Sequence, residues 1–383
     1  MILVYDTEVD GLHVQSIGLD IAGVNSLWLY ELLTLSWRDT IEPISIFKEY
    51  VHEVIAGMSF VQYHGQPELR SPLVIAAFSG WNDAADSATT AVKFLIERWK
   101  PTKLADIDAE EFYVFTETRP TVHFVAGLQR TITWPANQFL SYNAPDMDRD
   151  VILYLGVEPQ LKWRTFTESF LEVCKRFHAS EILLLGALLA DIPHSIAVPI
   201  SGTASHADTM ERLRELDVRG SRYEGPTGMI GVLHDACRRA DIQVSSLWAA
   251  APHYLAATPN IKVTAALLTY LNTFLSLELD LHEIQADAVR FEEQITALVA
   301  RDPEASAYVR KLEEQVADLI DDDSEDDEDD EDGDEDITLN NPDKVVSTGP
   351  LPSADTLIRS VEELLRKERE NNQQNPDNSE DVE

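Results

Sequence analysis

The residues best able to do chemistry stand where apolar, strand-like runs end. Asp83 follows the run 73–78, and Glu158 with Pro159 follows 151–156. Asp191 and His194 follow "EILLLGALLA", and His253 with Tyr254 follows "IQVSSLWAAA". In an open α/β sheet, ligands bind outside the carboxyl ends of the strands. Parallel pairing of these runs would therefore gather carboxylates and imidazoles from remote parts of the chain on one rim. The chemistry open to such a set is general acid–base catalysis. His194 or His253 would be the base, and Asp191 or Glu158 would orient it. Gly80, Asn82 and Asp83 in "GWND", Glu224, Gly225 and Thr227 in "YEGPTGMIG", and Tyr254 are the candidate ligand-binding residues. The plainer reading stands beside this one: strand ends are loops, loops are polar, and such residues cap, turn or hydrogen-bond.

Local motifs favour the plainer reading. Asp83 and Asp86 are three residues apart where a helix begins, which fits a capping residue with a second acid behind it. Two carboxylates at the positive end of a helix dipole would repel an arriving phosphate, and neither GxGxxG spacing nor a P-loop lysine is present. "EGPTGMIGVL" is the better anion candidate, because Pro226 suits a first helical turn and the glycines expose N–H groups, yet Glu224 adjoins it. No GxSxG elbow surrounds Ser79 or Ser201. Asp191, His194 and His253, or His206 with Asp208, are the metal-ligand candidates, but HExxH and CxxC spacings are missing and no metal is expected. No cofactor is expected either.

The elements that must position these residues alternate in kind. Residues 73–78, 151–156, 181–190 and 242–251 are short apolar runs suited to strands buried on both faces. Between them the spacing predicts helices over 84–99, 162–177, 207–216, 227–240 and 261–275. The helix at 162–177 turns Trp163, Phe166, Phe170, Cys174 and Phe177 to one side, and that at 227–240 turns Met229, Leu233, Ala236, Cys237 and Ala240. "TVHFVAG" and "LQRTITW" read as a hairpin around Gly127. Buried strands alternating with amphipathic helices predict a three-layer α/β/α sandwich around a mixed, mostly parallel sheet. The hairpin is the expected antiparallel part.

The expected organisation is an N-terminal segment 1–57 of unassigned fold, an α/β core 58–280 and a helical extension 281–320. That extension should be two helices broken at "RDPEAS", with Leu281, Ile284, Val289, Phe291, Ile295, Leu298 and Val299 apolar. A disordered acidic linker 321–352, a short amphipathic helix 353–370 and a disordered tail 371–383 should follow. Between Asp321 and Asp336 fourteen of sixteen residues are acidic, and such a run buries too little apolar surface to offset its ordering entropy. The formal net charge of −38 argues against a nucleic-acid or anionic-membrane surface. The two cysteines, Cys174 and Cys237, lie on apolar stripes and read as buried reduced thiols in a cytoplasmic protein. The first residues do not read as a secretory signal, and no membrane-spanning run is expected.

"GWNDAADSATTAV", "GVEPQLKWRTF", "LLGALLADIPHS", "PISGTAS", "SRYEGPTGMIGVL" and "SLWAAAPHYL" occur in this order over residues 70–280. The set resembles the actinobacterial branch of the proteasome-assembly-chaperone-two family. The resemblance implies a fold like that of purine nucleoside phosphorylases and related hydrolases, and self-association into a homo-oligomer, with a trimer as one form. Eukaryotic and archaeal relatives help assemble proteasomes, and some end in a hydrophobic–Tyr–any-residue tail that docks in the proteasome ring. This chain ends "EDVE", which departs from that tail. The expected function is therefore non-enzymatic protein binding, as an assembly factor or scaffold, with the segment 353–370 a candidate tethered docking helix. The alternative is an enzyme, a hydrolase or ligase acting on a small molecule, that uses the acid and histidine residues of the rim.

Overall fold

The computed structural model describes residues 2–9, 12–19, 59–125, 129–145, 147–221, 223–256 and 259–323. The amphipathic segment 353–370, the tail and all but the first three residues of the expected acidic linker lie outside them. The chain divides into two units, Met1–Ser59 and Phe60–Glu383. In the first, β1 (Ile2–Val9) and β2 (Leu12–Leu19) pair antiparallel as a hairpin.

The second unit is built on a nine-stranded sheet. Its strands in chain order are β3 (Val61–Tyr63), β4 (Leu73–Ser79), β5 (Thr102–Ile107), β8 (Asn137–Tyr142), β9 (Val151–Val157), β10 (Glu181–Ala190), β11 (Ile200–Ala204), β12 (Arg219–Gly220) and β13 (Gln243–Pro252). Their order across the sheet is β12-β11-β13-β10-β4-β9-β8-β5-β3. The central four, β13-β10-β4-β9, are parallel to one another. Antiparallel pairing enters on both flanks, through β11 against β13 and through β8, β5 and β3. The hairpin of β6 (Thr121–Val125) and β7 (Gln129–Thr133) forms a separate two-stranded sheet. The sheet is mixed as expected, but the hairpin is not what makes it so. Among the described residues its strands pair only with each other.

Period-two alternation on continuously buried strands places the helices on both faces. Leu73, Ile75 and Ala77 point toward α1 (Ser87–Trp99) and α5 (Ile261–Leu275), where Ala88, Ala91, Leu95, Leu267, Leu268 and Leu271 meet them. Val74, Ala76 and Phe78 point the other way, toward α2 (Trp163–Arg176) and α4 (Met229–Arg239). On that side Phe78, Phe139, Tyr154, Phe166 and Phe170 form a contiguous aromatic cluster, with ring centroids 4.7 to 6.4 Å apart. Cys174 and Cys237 are buried in this layer as free thiols, and burial raises both, Cys237 to about 12. The short helix α3 (Ala207–Arg214) covers β11 and β12.

The helical extension is two helices, α6 (His282–Val299) and α7 (Pro303–Asp323), separated at Ala300–Asp302. Phe291, Ile295 and Val299 of α6 pack with Ala305, Tyr308, Val309 and Leu312 of α7 on Tyr254 and Leu255 at the end of β13. Val289, one of the apolar positions of the extension, is 58% exposed. The last helix also continues three residues into the acidic run, to Asp323.

Candidate functional site

The carboxyl ends of β9, β4, β10 and β13 lie side by side because the four strands are parallel. Asp83, Glu158, Asp191, His194 and His253 therefore follow one rim of the sheet. Along that rim they fall into two groups with different partners.

The first group joins the turn after β4 to the end of β9 and the start of α4. Gly80 sits at φ +121°, a conformation that glycine adopts without cost, and a Cβ there would lie 3.2 Å from Glu158 Cβ. The turn carries Asn82 into the interior, where its carbonyl accepts the Ala187 N–H at 2.9 Å, extending the pairing beside β10. Asn82 Nδ2 donates to Glu158 Oε1 at 2.5 Å, and the same oxygen accepts the Met229 N–H at 2.7 Å. The Glu158 carboxylate thus occupies the N-terminus of α4, the position considered for an anion in "EGPTGMIG". Gly228 closes the group: a Cβ there would stand 2.3 Å from Asn82 Oδ1 and 2.6 Å from Glu158 Oε1. Buried Asn82 Oδ1 has no hydrogen-bond donor and rests against this glycine. Glu224, Gly225 and Thr227 lie on the exposed approach to α4, where Tyr223 Oη donates to the Pro226 carbonyl at 3.0 Å.

Asp83 does cap the helix that follows, at longer range than the sequence implied. A 3-10 turn, Ala84–Asp86, comes first, with Ala85 and Asp86 at φ +52° and +51°, so α1 starts at Ser87 rather than at residue 84. Asp83 Oδ1 then accepts the Ala88 N–H at 2.7 Å and the Thr89 N–H at 3.3 Å, and Oδ2 accepts the Thr89 hydroxyl. Asp86, the second member of the expected capping pair, makes no side-chain cap. Burial raises the Asp83 carboxyl to about 6 against the opposing pull of these hydrogen bonds.

The second group lies beneath the helical extension. Buried His194 donates its backbone N–H to Tyr254 Oη at 2.7 Å, and its Nδ1 lies 2.8 Å from the same oxygen. Thr296 Oγ1 gives its own proton to the Glu292 carbonyl at 2.9 Å, so it accepts from Nε2 at 3.1 Å, and Nδ1 of a neutral ring is left to accept the Tyr254 proton. Every proton in this chain is placed with His194 neutral. Burial, assisted by the Lys262 charge, holds its imidazole below the usual histidine range. Nearby, His253 Nε2 is 2.9 Å from Tyr308 Oη. Its Nδ1 lies 3.0 Å from Asp191 Oδ1 without making a hydrogen bond to it.

Further contacts clamp the extension to the rim. Lys262 Nζ donates to the carbonyls of His194 and Ile196 at 2.6 and 2.7 Å and lies 2.7 Å from Glu292 Oε2. Ser195 Oγ donates to Glu313 Oε1 at 2.6 Å. The cavity that remains there, walled by Ile192, His194, Pro252, Asn260 and Phe291, measures about 10 Å³. That is room for one water molecule at most. A larger hollow, about 370 Å³, lies away from these residues and is lined by Asp106, Asp108, Glu110, Phe115 and Trp134. Among the described residues no His, Cys, Asp and Glu set could hold a metal ion, and no helix is long and apolar enough to cross a membrane.

Thr296, Tyr308, Lys262 and Gly228 were not singled out from sequence. Thr296 and Tyr308 belong to helices whose apolar stripes are legible, but nothing local shows that those helices fold back on strand ends more than forty residues upstream.

The PAC2 family pattern matches residues 77–299. The chain belongs to the PAC2 family. No curated protein matches it. Solved structures similar to this PAC2 chain include a proteasome-assembly chaperone homologue from Mycobacterium tuberculosis, 41% identical, with 62% of this chain and 99% of that one covered and a TM-score of 0.56. A PAC2 family protein from Streptomyces avermitilis is 40% identical over the same shares, with a TM-score of 0.57. An archaeal proteasome activator from Pyrococcus furiosus shares the fold at 19% identity and a TM-score of 0.52, covering 62% of this chain and 97% of its own. The three-layer α/β architecture is thus that of PAC2 proteins, including actinobacterial ones.

Proposed function

We propose that this PAC2 protein is a non-enzymatic, protein-binding assembly factor that acts on proteasome core-particle subunits, and that it does so in the cytoplasm as a homo-oligomer. The observation that carries the reading is the closed rim. Where an α/β enzyme keeps its substrate cleft, this chain packs α6 and α7 over the ends of β10 and β13, and His194, His253 and Glu158 are engaged by internal hydrogen bonds. His194 has no open face toward a substrate, and both of its ring nitrogens are engaged. The similarity to a proteasome-assembly chaperone homologue across 99% of its length supports the choice of partner, and buried reduced cysteines fit the compartment.

The test is direct binding. The full chain is mixed with purified core-particle α and β subunits of the same organism, and complexes are read by native mass spectrometry. A stoichiometric complex, retained in a His194→Ala and His253→Ala variant that stays folded, is the expected result. Absence of any complex, or a small-molecule turnover abolished by those substitutions, would overturn the proposal.

A further inference from the structure

The self-association in that reading has no surface assigned to it, and the β6–β7 hairpin supplies one. An isolated two-stranded hairpin is marginally stable in water, yet this one stands apart from the main sheet. Register places Val122 opposite Ile132 and Phe124 opposite Arg130, so these side chains share one face. Val122, Phe124, Ile132 and Trp134 are all more than half exposed, between 51 and 64%. They make up almost half of the large exposed apolar side chains of the described residues. The segment is also unusual in charge. From Thr118 to Pro145 the chain has no Asp or Glu, while Arg119, Arg130 and His123 are present, in a protein with 68 acidic and 30 basic side chains. The Arg130 guanidinium lies 5.3 Å from the centre of the Phe124 ring, which keeps the cation on the apolar face.

The complementary surface adjoins it. The 370 Å³ hollow carries Asp108 and Glu110, both exposed, beside the partly buried Phe115 and above Asp106. Asp106 is already engaged by His64 and Lys103, whereas Asp108, whose Oδ1 accepts the Glu110 N–H at 2.8 Å, and Glu110 are exposed. Trp134 directly follows the hairpin and lines the hollow, its ring edge-on to Phe115 with centroids 4.9 Å apart.

We propose that the β6–β7 hairpin is an arm that docks its Phe124–Ile132 face and Arg130 into the Asp108–Glu110 hollow of a second copy of this chain. Because arm and hollow adjoin on one surface, two copies exchange arms reciprocally, as an isologous contact requires. Four side chains of this size offer on the order of 400 Å² per arm. Two arms and the surfaces they cover then bury on the order of 1,600 Å², the size of a stable specific interface.

The experiment is multi-angle light scattering and sedimentation of the full chain over a wide concentration range at physiological salt. The wild-type chain should associate. Phe124→Ser with Ile132→Ser should weaken association at least about tenfold, and because these residues are already exposed the subunit should keep its wild-type circular dichroism. Arg130→Glu and Glu110→Arg should each weaken association, and the two together should restore it. Variants that associate as the wild type does, or charge reversals that fail to rescue one another, would overturn the arm while leaving self-association standing. A wild-type chain that stays monomeric overturns both. So does a hairpin that binds a purified proteasome subunit while the chain itself stays monomeric.

Discussion

The phenol of Tyr254 sits between two nitrogens of one residue, 2.7 Å from the backbone N of His194 and 2.8 Å from its ring Nδ1. Tyr254 follows β13 and His194 follows β10, so this oxygen ties neighbouring strand ends together, and Thr296 extends the tie to α6. Tyr254→Phe removes the acceptor of a buried amide and the donor to Nδ1. An unsatisfied buried donor costs about 1–3 kcal/mol. Urea unfolding should show that loss, and hydrogen exchange should rise first in α6 and α7.

Acid should act on the same residue. Burial holds the His194 imidazole below its ordinary 6.5, so the unfolded chain takes up this proton before the folded chain does. The neutral ring therefore contributes stability that is present above about pH 6.5 and is lost as pH falls below it. Glu292, Glu313, Lys262, Thr296 and Tyr254 are the groups that face it, and none can accept a proton from Nδ1 without disturbing a bond already made. His194→Gln should lose less stability than the wild type between pH 7 and pH 5, measured by thermal unfolding across that range.

Asp83 should show the opposite sign. Its carboxyl is raised to about 6 from 3.8, so the folded chain holds this proton more firmly. Its contribution is largest below about pH 4 and is lost as pH rises through about 6. Asp83→Asn lacks that slope. The variant is less stable at any pH, because its amide cannot accept from Ala88, Thr89 and the Thr89 hydroxyl together. Its deficit should shrink between pH 4 and pH 6.5, as followed by the unfolding midpoint.

Gly228→Ala tests the packing of the first group. The new methyl would meet Asn82 and Glu158 at 2.3 to 2.6 Å, and both are held by hydrogen bonds. Overpacking of this kind costs about 1–3 kcal/mol. Chemical denaturation should report the loss, and a variant as stable as the wild type would mean that Asn82 and Glu158 move aside freely.

The layered fold is legible in the sequence because its determinants are local. The runs 73–78, 151–156, 181–190 and 242–251 are apolar without a break, and that pattern occurs where a strand is covered on both faces. The stripe of Phe166, Phe170 and Cys174 names the inner face of α2 in the same way. The common rim of Asp83, Glu158, His194 and His253 follows from parallel pairing of these strands. What the sequence does not carry is the fate of that rim. Its closure depends on α6 and α7 returning to Tyr254 and Leu255, a long-range contact with no local periodicity. The delayed start of α1 was also hidden: Ala85 and Asp86 take left-handed backbone angles that their residue types do not announce. Helices in the sequence can be counted, but the surface on which the last two of them settle is decided by tertiary packing.

Core-particle assembly tests the central claim most directly. Purified proteasome α and β subunits are mixed with and without the full chain, and the appearance of half and complete particles is followed by native gel and mass spectrometry. The expected result is faster or more complete assembly, with the chain bound to an intermediate and unaffected by His194→Ala with His253→Ala. An assembly time course identical with and without the chain, and no intermediate that contains it, would contradict the account.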